Sequence, residues 1–398
     1  MQLLIEGALR RFKVCWDRLW SAPGVRSAVI IFITMRVGLL LFAPLARSIY
    51  PETFAPHPIS RPYLGVAPVT SLWLEPWQRW DTLHFQAIAE RGYGAYDSSL
   101  FSPFLYPWLM GLVAKVFGGD TLFAGLIVSN LAYLVALVYL YRLTAMETDQ
   151  QVARRCILYL ASFSTAFFFL AAYSESLFLL TTVAALYYAR QRRWLAAGAW
   201  AFFAPLARLQ GAILPVMLGF EVWRARRGAQ FPTRQAVIGL TLSVLGVITF
   251  PLYVWSVLGK MPWEPLLVQS SRFRGSFTLP GLAIVEAVKT IFSGEPLMMD
   301  YFDLGFTLLF ILLTVLIVRR LPAIYGLYSV LMLMAILIKV SEIQPLLSVP
   351  RYVLAIFPAF IVLGQAGKNQ WANRLILYLS WLGLLYFCGQ FVIWGWVA

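Results

Sequence analysis

The chain has 398 residues, 60% of them hydrophobic and only 13% charged, with a formal net charge of +14. A soluble globular domain carries about 25% charged residues, so that class is excluded. Apolar runs long enough to cross a hydrocarbon core of roughly 30 Å recur from residue 27 to the end.

Ahead of the first apolar run lie Glu6, Arg10, Arg11, Lys13, Asp17 and Arg18, with no short apolar core followed by a small-residue cleavage site. The first span is therefore expected to act as an uncleaved anchor. Spans are predicted at 27–47, 121–142, 154–172, 174–190, 194–207, 208–224, 236–258, 301–318, 322–340, 352–367 and 373–395, eleven in all. The connections near 173 and 207 are very tight, and Pro205 either breaks one helix or separates two. The expected class is an all-α polytopic membrane protein forming one integral domain, without internal repeats or low-complexity linkers.

Placing the N-terminus in the cytoplasm puts nineteen of the 32 basic residues and five of the 18 acidic ones on that side. The difference equals the whole net charge, as the positive-inside rule predicts, so the basic excess reads as membrane orientation and no nucleic-acid partner is expected. Trp16, Trp20, Trp371, Trp394 and Trp396 near span ends fit aromatic belts. The three cysteines, Cys15, Cys156 and Cys388, are odd in number and widely scattered, which leaves no disulfide framework or CxxC metal site.

Two long segments, about 48–120 and 259–300, remain outside and must lean on the bundle. The first holds two short amphipathic pieces, 81–91 and 103–117, expected to lie as helices at the outer membrane surface. On a helical wheel Phe85, Ile88 and Ala89 share a side with Asp81, so a carboxylate begins the apolar face. Asp81 reads either as the N-cap of this helix, with Gly92 as its stop, or as a partly desolvated general base, and the two roles are compatible. Trp80 offers a sugar-stacking face or an interfacial anchor. His84, one turn on, can help deprotonate, bind a hydroxyl, join a metal site or stand as a hydrogen-bonded histidine; His57 is the only other histidine and no ligand spacing supports a metal, so no cofactor is expected and a divalent metal is not indicated. Arg36, inside the first span, must face the bundle or snorkel.

These motifs carry a resemblance. Trp80-Asp81, Phe85, IAERGY at 88–93 and FSPFLYP at 101–107 are similar to the first luminal loop of the PIG-V-type mannosyltransferases, with its WD, IAEHGY and FFP-x-x-P-like stretch. SFSTAFFFLAAYSESLF at 162–178, ARLQG at 207–211 and SVPRYVLAIFPAF at 348–360 resemble further segments of that family. The resemblance implies a GT-C-type helical bundle that takes a sugar, in this family mannose, from a polyprenyl phosphate. It implies transfer to an acceptor hydroxyl of a lipid, glycan or protein on the extracytoplasmic side of the cytoplasmic membrane.

Under that resemblance Asp81 is the expected base of an inverting transfer. Glu175, in YSES, is a second carboxylate for the acceptor, or simply an acid in a first helical turn after Ser174. Arg208, Arg272, Arg274 and Arg351 are candidates for the donor phosphate, with Gln269 beside them in VQSSRFRG; each arginine could instead snorkel to lipid head groups. A transporter or flippase is the competing class, but it predicts interrupted helices paired between two halves, and Pro205, Pro215 and Pro358 show no such pairing. A noncatalytic scaffold is a third reading and would tolerate loss of Asp81.

Overall fold

The computed structural model describes residues 20–49, 64–96, 99–226, 231–270, 275–341 and 344–397. Helix α1 (Val25–Ile49) is 25 residues long and predominantly apolar. Its internal Arg36 turns inward, donating to the Leu170 carbonyl at 3.3 Å and lying 5.0 Å from the Trp77 ring. Helices α2 (Asp81–Arg91) and α3 (Leu105–Ala114) follow, at the positions expected for the amphipathic pieces. Both bury their apolar faces in the protein: Phe85, Ile88, Tyr106 and Met110 belong to the main core. Gly92 ends α2 with φ 72°, a conformation that costs glycine nothing.

Helix α4 (Thr121–Glu147) is capped by Asp120, whose carboxylate accepts from Phe123 N, and α5 (Gln150–Ser162) by Asp149, which accepts from Val152 N. The span expected at 154–172 is interrupted. Helix α5 stops at Ser162, and a 3-10 turn over Ala166–Phe169 leads to α6 (Glu175–Arg190). Serine and threonine side chains compete here for backbone groups; Thr165 Oγ1 donates to the Pro350 carbonyl at 2.6 Å, fastening the break to a distant turn. Every residue from Tyr159 to Leu186 is buried, which makes this the centre of the molecule.

Helix α7 (Trp194–Ala207) accommodates Pro205 without breaking, and a 3-10 turn over Leu209–Ile213 leads to α8 (Leu214–Ala225). Helix α9 (Thr233–Ser256) lies against α7 with backbones touching: a Cβ on Gly198, Gly239 or Gly246 would collide with main chain of the opposite helix. Beyond it come α10 (Glu264–Val268), α11 (Leu282–Ser293), α12 (Met298–Arg320) and α13 (Ala323–Leu337). Strand β1 (Ser276–Phe277) pairs antiparallel with β2 (Lys339–Val340), Ser276 opposite Val340. The chain closes with α14 (Val349–Tyr352), α15 (Pro358–Ala366) and α16 (Gln370–Val392).

Five helices, α1, α4, α9, α12 and α16, are long and apolar enough to cross a membrane alone, and Val349–Ala355 with Pro358–Ala366, bent by 87°, makes a sixth. The expected eleven are therefore not met by length alone. Helices α5 to α8 and α13 are 12 to 16 residues long and lie among the others. The helix ends sort onto two faces. On one, Arg47 pairs with Glu75 and Thr121 meets Gln86 and Glu90. On the other, Arg190 joins Glu147 (2.7 Å) to Glu221 (3.2 Å), Tyr325 donates to Glu147 (2.8 Å), and Arg142 donates to the Pro23 carbonyl (3.2 Å).

Candidate active site

The first face carries a cleft of about 650 Å³, including its solvent-open mouth. Four of its lining residues, Asp81, Arg208, Gln269 and Arg351, were singled out in the sequence, and they come from four separate segments. Asp81 is the first residue of α2; the N-cap is Trp80, and no side chain caps the helix. The capping reading of Asp81 is thus corrected: its carboxylate is turned to a guanidinium rather than to the backbone. Arg351 Nη1 donates to Asp81 Oδ2 at 2.6 Å.

Arg351 Nε also pairs with Glu175 Oε1, and the same oxygen receives Arg208 Nη1. Arg208 Nη1 lies 3.4 Å from Ser174 Oγ. The result is a chain of alternating charge, Asp81–Arg351–Glu175–Arg208, whose formal charges cancel. Arg351 and Glu175 are 5% and 7% exposed and Asp81 is 24% exposed, so the carboxylate that reaches the cleft is Asp81. Such a series persists in the interior only because each charge has an opposite partner. Ser174 sits at the N-cap of α6 as expected, but its hydroxyl makes no capping bond and faces Arg208 instead.

Aromatic rings hold Arg351 in place. Its guanidinium carbon is 4.5 Å from the Tyr173 ring centre, 5.1 Å from Phe168 and 5.7 Å from Tyr352. Tyr173 Oη in turn accepts from Asp81 N at 3.2 Å and donates to the Arg79 carbonyl at 3.3 Å. Arg79, 1% exposed, donates to the Val392 carbonyl at 3.0 Å and to Glu75, and lies 4.7 Å from the Trp394 ring. The start of α2 is therefore located by residues at both ends of the chain.

Two backbone outliers flank the pair. Trp80 has φ 50° and Ser348 φ 68°, unfavourable for residues with side chains, and each immediately precedes the helix bearing one partner, α2 for Asp81 and α14 for Arg351. Asp303 of α12, 3% exposed, lies beside Val349 N at the first turn of α14.

Burial pushes the Asp81 carboxyl up, but Arg351, helped by His84 and Arg208, outweighs it and holds the group below the ordinary carboxylate range. His84 is pushed down by burial, which Asp81 only partly offsets, so it is neutral at pH 7.

The remaining assignments divide. Gln269 lines the cleft and donates to the Phe101 carbonyl at 2.5 Å. Trp80 does not line it; its ring packs edge-on against Trp394 (5.7 Å) and Trp396 (5.1 Å), and the aromatic residues that line the cleft are Phe85, Phe101, Tyr352 and Trp396. Trp394, expected in an interfacial belt, is 1% exposed. His84 also stands behind the cleft wall, its Nδ1 2.7 Å from Tyr96 Oη and its ring beside Phe101. Arg272 and Arg274 lie outside the described residues. Among the described residues no group of three His, Cys, Asp or Glu side chains converges.

Beneath this cleft a second space of about 370 Å³ shares Arg208, Gln210, Arg351 and Tyr352 with it. Its other walls are mainly apolar, including Phe169, Phe178, Met332 and Ile336. The two arginines thus stand where a polar cleft meets an apolar slot.

Among solved structures the chain is similar to ArnT from Cupriavidus metallidurans bound to undecaprenyl phosphate, with a TM-score of 0.54 and 13% identity over 87% of this chain and 62% of that one. The fold is that of the GT-C glycosyltransferases. The GT-C-type bundle implied by the sequence resemblance is thereby found, within a multi-pass membrane protein. The family model for dolichyl-phosphate-mannose-protein mannosyltransferases matches residues 102–255, which run from the cleft loop through α9. An Archaeoglobus fulgidus oligosaccharyltransferase in complex with Zn and sulfate aligns with a TM-score of 0.43 and 12% identity over 91% of this chain and 53% of that one. The AglB oligosaccharyltransferase of Archaeoglobus fulgidus, in complex with an inhibitory peptide and a dolichol-phosphate, aligns at 0.42 and 10% over 91% and 55%. The chain therefore spans about half to three fifths of the length of these structures. No curated protein matches it in sequence.

Proposed function

We propose that the chain transfers a sugar from a polyprenyl-phosphate donor to a hydroxyl of an extracytoplasmic lipid, glycan or protein acceptor, with inversion. The observation that carries this reading is the Asp81–Arg351–Glu175–Arg208 chain at the junction of a polar cleft and an apolar slot. ArnT, the solved neighbour, binds undecaprenyl phosphate, which supports a donor of that class. Mannose is the sugar favoured by the motif resemblance and by the description of the matching family. The charge distribution supports a cytoplasmic N-terminus with the cleft on the opposite side of the membrane.

The prenyl chain enters the apolar slot and the phosphate meets Arg351 and Arg208. Guanidinium groups suit the phosphate geometry and stabilise the charge that develops as it departs. The acceptor oxygen attacks the anomeric carbon from the cleft side and its proton passes to Asp81. The bond from that carbon to the phosphate oxygen breaks, the electron pair staying with the leaving phosphate. Trp396 and Gln269 border the space left for the sugar and acceptor. Glu175 keeps both arginines in position and touches neither reacting oxygen.

An approaching phosphate must compete with Asp81 for Arg351. As it succeeds, Asp81 loses its strongest stabilising partner and becomes the better base when the donor is in place.

The test is an assay of the purified full chain with polyprenyl-phosphate mannose, glucose, galactose and arabinose against lipid and glycan acceptors. Transfer from at least one donor with inverted anomeric configuration is expected. A chain that moves a glycolipid between leaflets without forming any glycosidic bond overturns the reading.

A further inference from the structure

The face opposite the cleft holds a second charged feature of different character. Arg26 begins α1, whose other end, Arg47, pairs with Glu75 near the cleft; the 21 residues between them, at about 1.5 Å each, put Arg26 about 30 Å away. There a cleft of about 840 Å³, broadly open, lies between α1 and α5. Arg26, Ser27, Arg154 and Arg155 line it together with Ile30, Ile31 and Leu158.

Three guanidinium groups thus share one cleft, and no carboxylate lines it. On the same face Arg190 and Lys368 have acidic partners, whereas among the described residues no ion pair involves Arg26, Arg154 or Arg155. Arg155 Nη1 is buried and, among the described residues, makes no hydrogen bond. A snorkelling arginine extends its tip into water, whereas this one, at the cleft wall, keeps one donor out of solvent. Mutual repulsion and an unmet donor are both relieved by a single multivalent oxyanion, and guanidinium is the side chain that fits phosphate.

The apolar half of the cleft decides what carries that oxyanion. Ile30, Ile31 and Leu158 continue along the helices from the arginines, so the site is polar at the headgroup level and aliphatic beneath. Basic pockets between membrane helices bind anionic head groups in this way. We infer that the cleft between α1 and α5 is a binding site for one anionic phospholipid, its phosphate held by Arg26, Arg154 and Arg155 and an acyl chain resting on Ile30, Ile31 and Leu158. The site is independent of the catalytic reading.

Native mass spectrometry of the full chain in detergent, titrated with phosphatidylglycerol or phosphatidylcholine, tests it. Wild type should retain one phosphatidylglycerol at least about tenfold more strongly than phosphatidylcholine, since each arginine near an anionic head group adds to binding. Arg154→Gln/Arg155→Gln and Arg26→Gln should lose that preference while keeping equal phosphatidylcholine adducts and unchanged helical circular dichroism. Equal retention of the two lipids by wild type overturns the proposal even if the variants fail to fold, as does a preference that survives in folded variants. A third arm adds inorganic phosphate: complete displacement of phosphatidylglycerol by it would mark a free-anion site and overturn the lipid assignment.

Discussion

Replacing Asp81 with asparagine separates chemistry from folding more cleanly than any other change at the cleft. Asparagine keeps the shape and an oxygen that can accept from Arg351 Nη1 at the observed 2.6 Å, but it takes up no proton. Breaking a buried ion pair by removing one partner costs about 3–5 kcal/mol when the other charge is stranded. Here Arg351 keeps Glu175, and Asp81 is 24% exposed, so water screens part of the interaction and the expected cost is only about 1 kcal/mol. Loss of a general base costs about 10²–10⁴-fold in turnover. Transfer from radiolabelled polyprenyl-phosphate sugar, measured beside the thermal midpoint of the same preparation, should show that loss with little change in midpoint. A variant retaining a third or more of wild-type turnover would refute Asp81 as base. A variant that is inactive because it unfolds would refute the energetic argument.

Glu175→Gln should behave in the opposite sense, losing about 3–5 kcal/mol because the buried Arg351 and the partly buried Arg208 share this carboxylate; a thermal shift no larger than that of Asp81→Asn would contradict its positioning role. Arg351→Lys removes the fork that meets Asp81 through Nη1 and Glu175 through Nε, so the donor KM should rise about tenfold or more, and an unchanged KM would remove Arg351 from phosphate binding. Asp81 is held low, so its ion pair stabilises the fold above the unfolded value near 4 and is lost as pH falls through the lower folded value. The acid limb of kcat/KM should accordingly lie below about pH 4, and that of kcat should lie higher because bound phosphate takes Arg351; coincident limbs would sink the exchange between Asp81 and phosphate. For His84 the folded state resists protonation, so the unfolded state binds more protons as pH drops below about 6.5 and stability declines there; thermal midpoints that fall equally in His84→Gln would assign the decline elsewhere.

Charged residues at the ends of apolar runs are conspicuous, and Asp81, Glu175, Arg208 and Arg351 were all visible for that reason. Their pairing was not, because 270 residues separate Asp81 from Arg351 and 176 separate Glu175 from it. A helical wheel placed Asp81 on the buried side of α2 correctly. The same local view left the direction of Trp80 open, because Trp394 and Trp396 at the far end of the chain set it. Tyr173 stands inside the YSES motif, but its contacts to Asp81 N and the Arg79 carbonyl are long-range. Hydropathy saw 352–367 as one span because the averaging window is blind to an 87° bend between equally apolar pieces. The break after Ser162 was hidden likewise, in an equally apolar run where Thr165 donates to the remote Pro350 carbonyl.

The position of Arg351 late in the chain has a consequence for biosynthesis. Chains emerge from the N-terminus, so Asp81 and Glu175 enter the membrane system long before the arginine that joins them. Until α14 arrives, Asp81 must stay hydrated, and the buried geometry of α2 has a carboxylate without its counter-ion. The cleft therefore closes only when the last eighth of the chain has been inserted. A nascent or truncated polypeptide ending before Val349 carries Trp80-Asp81 and YSES intact, but it exposes an unmatched acid that quality-control machinery can recognise.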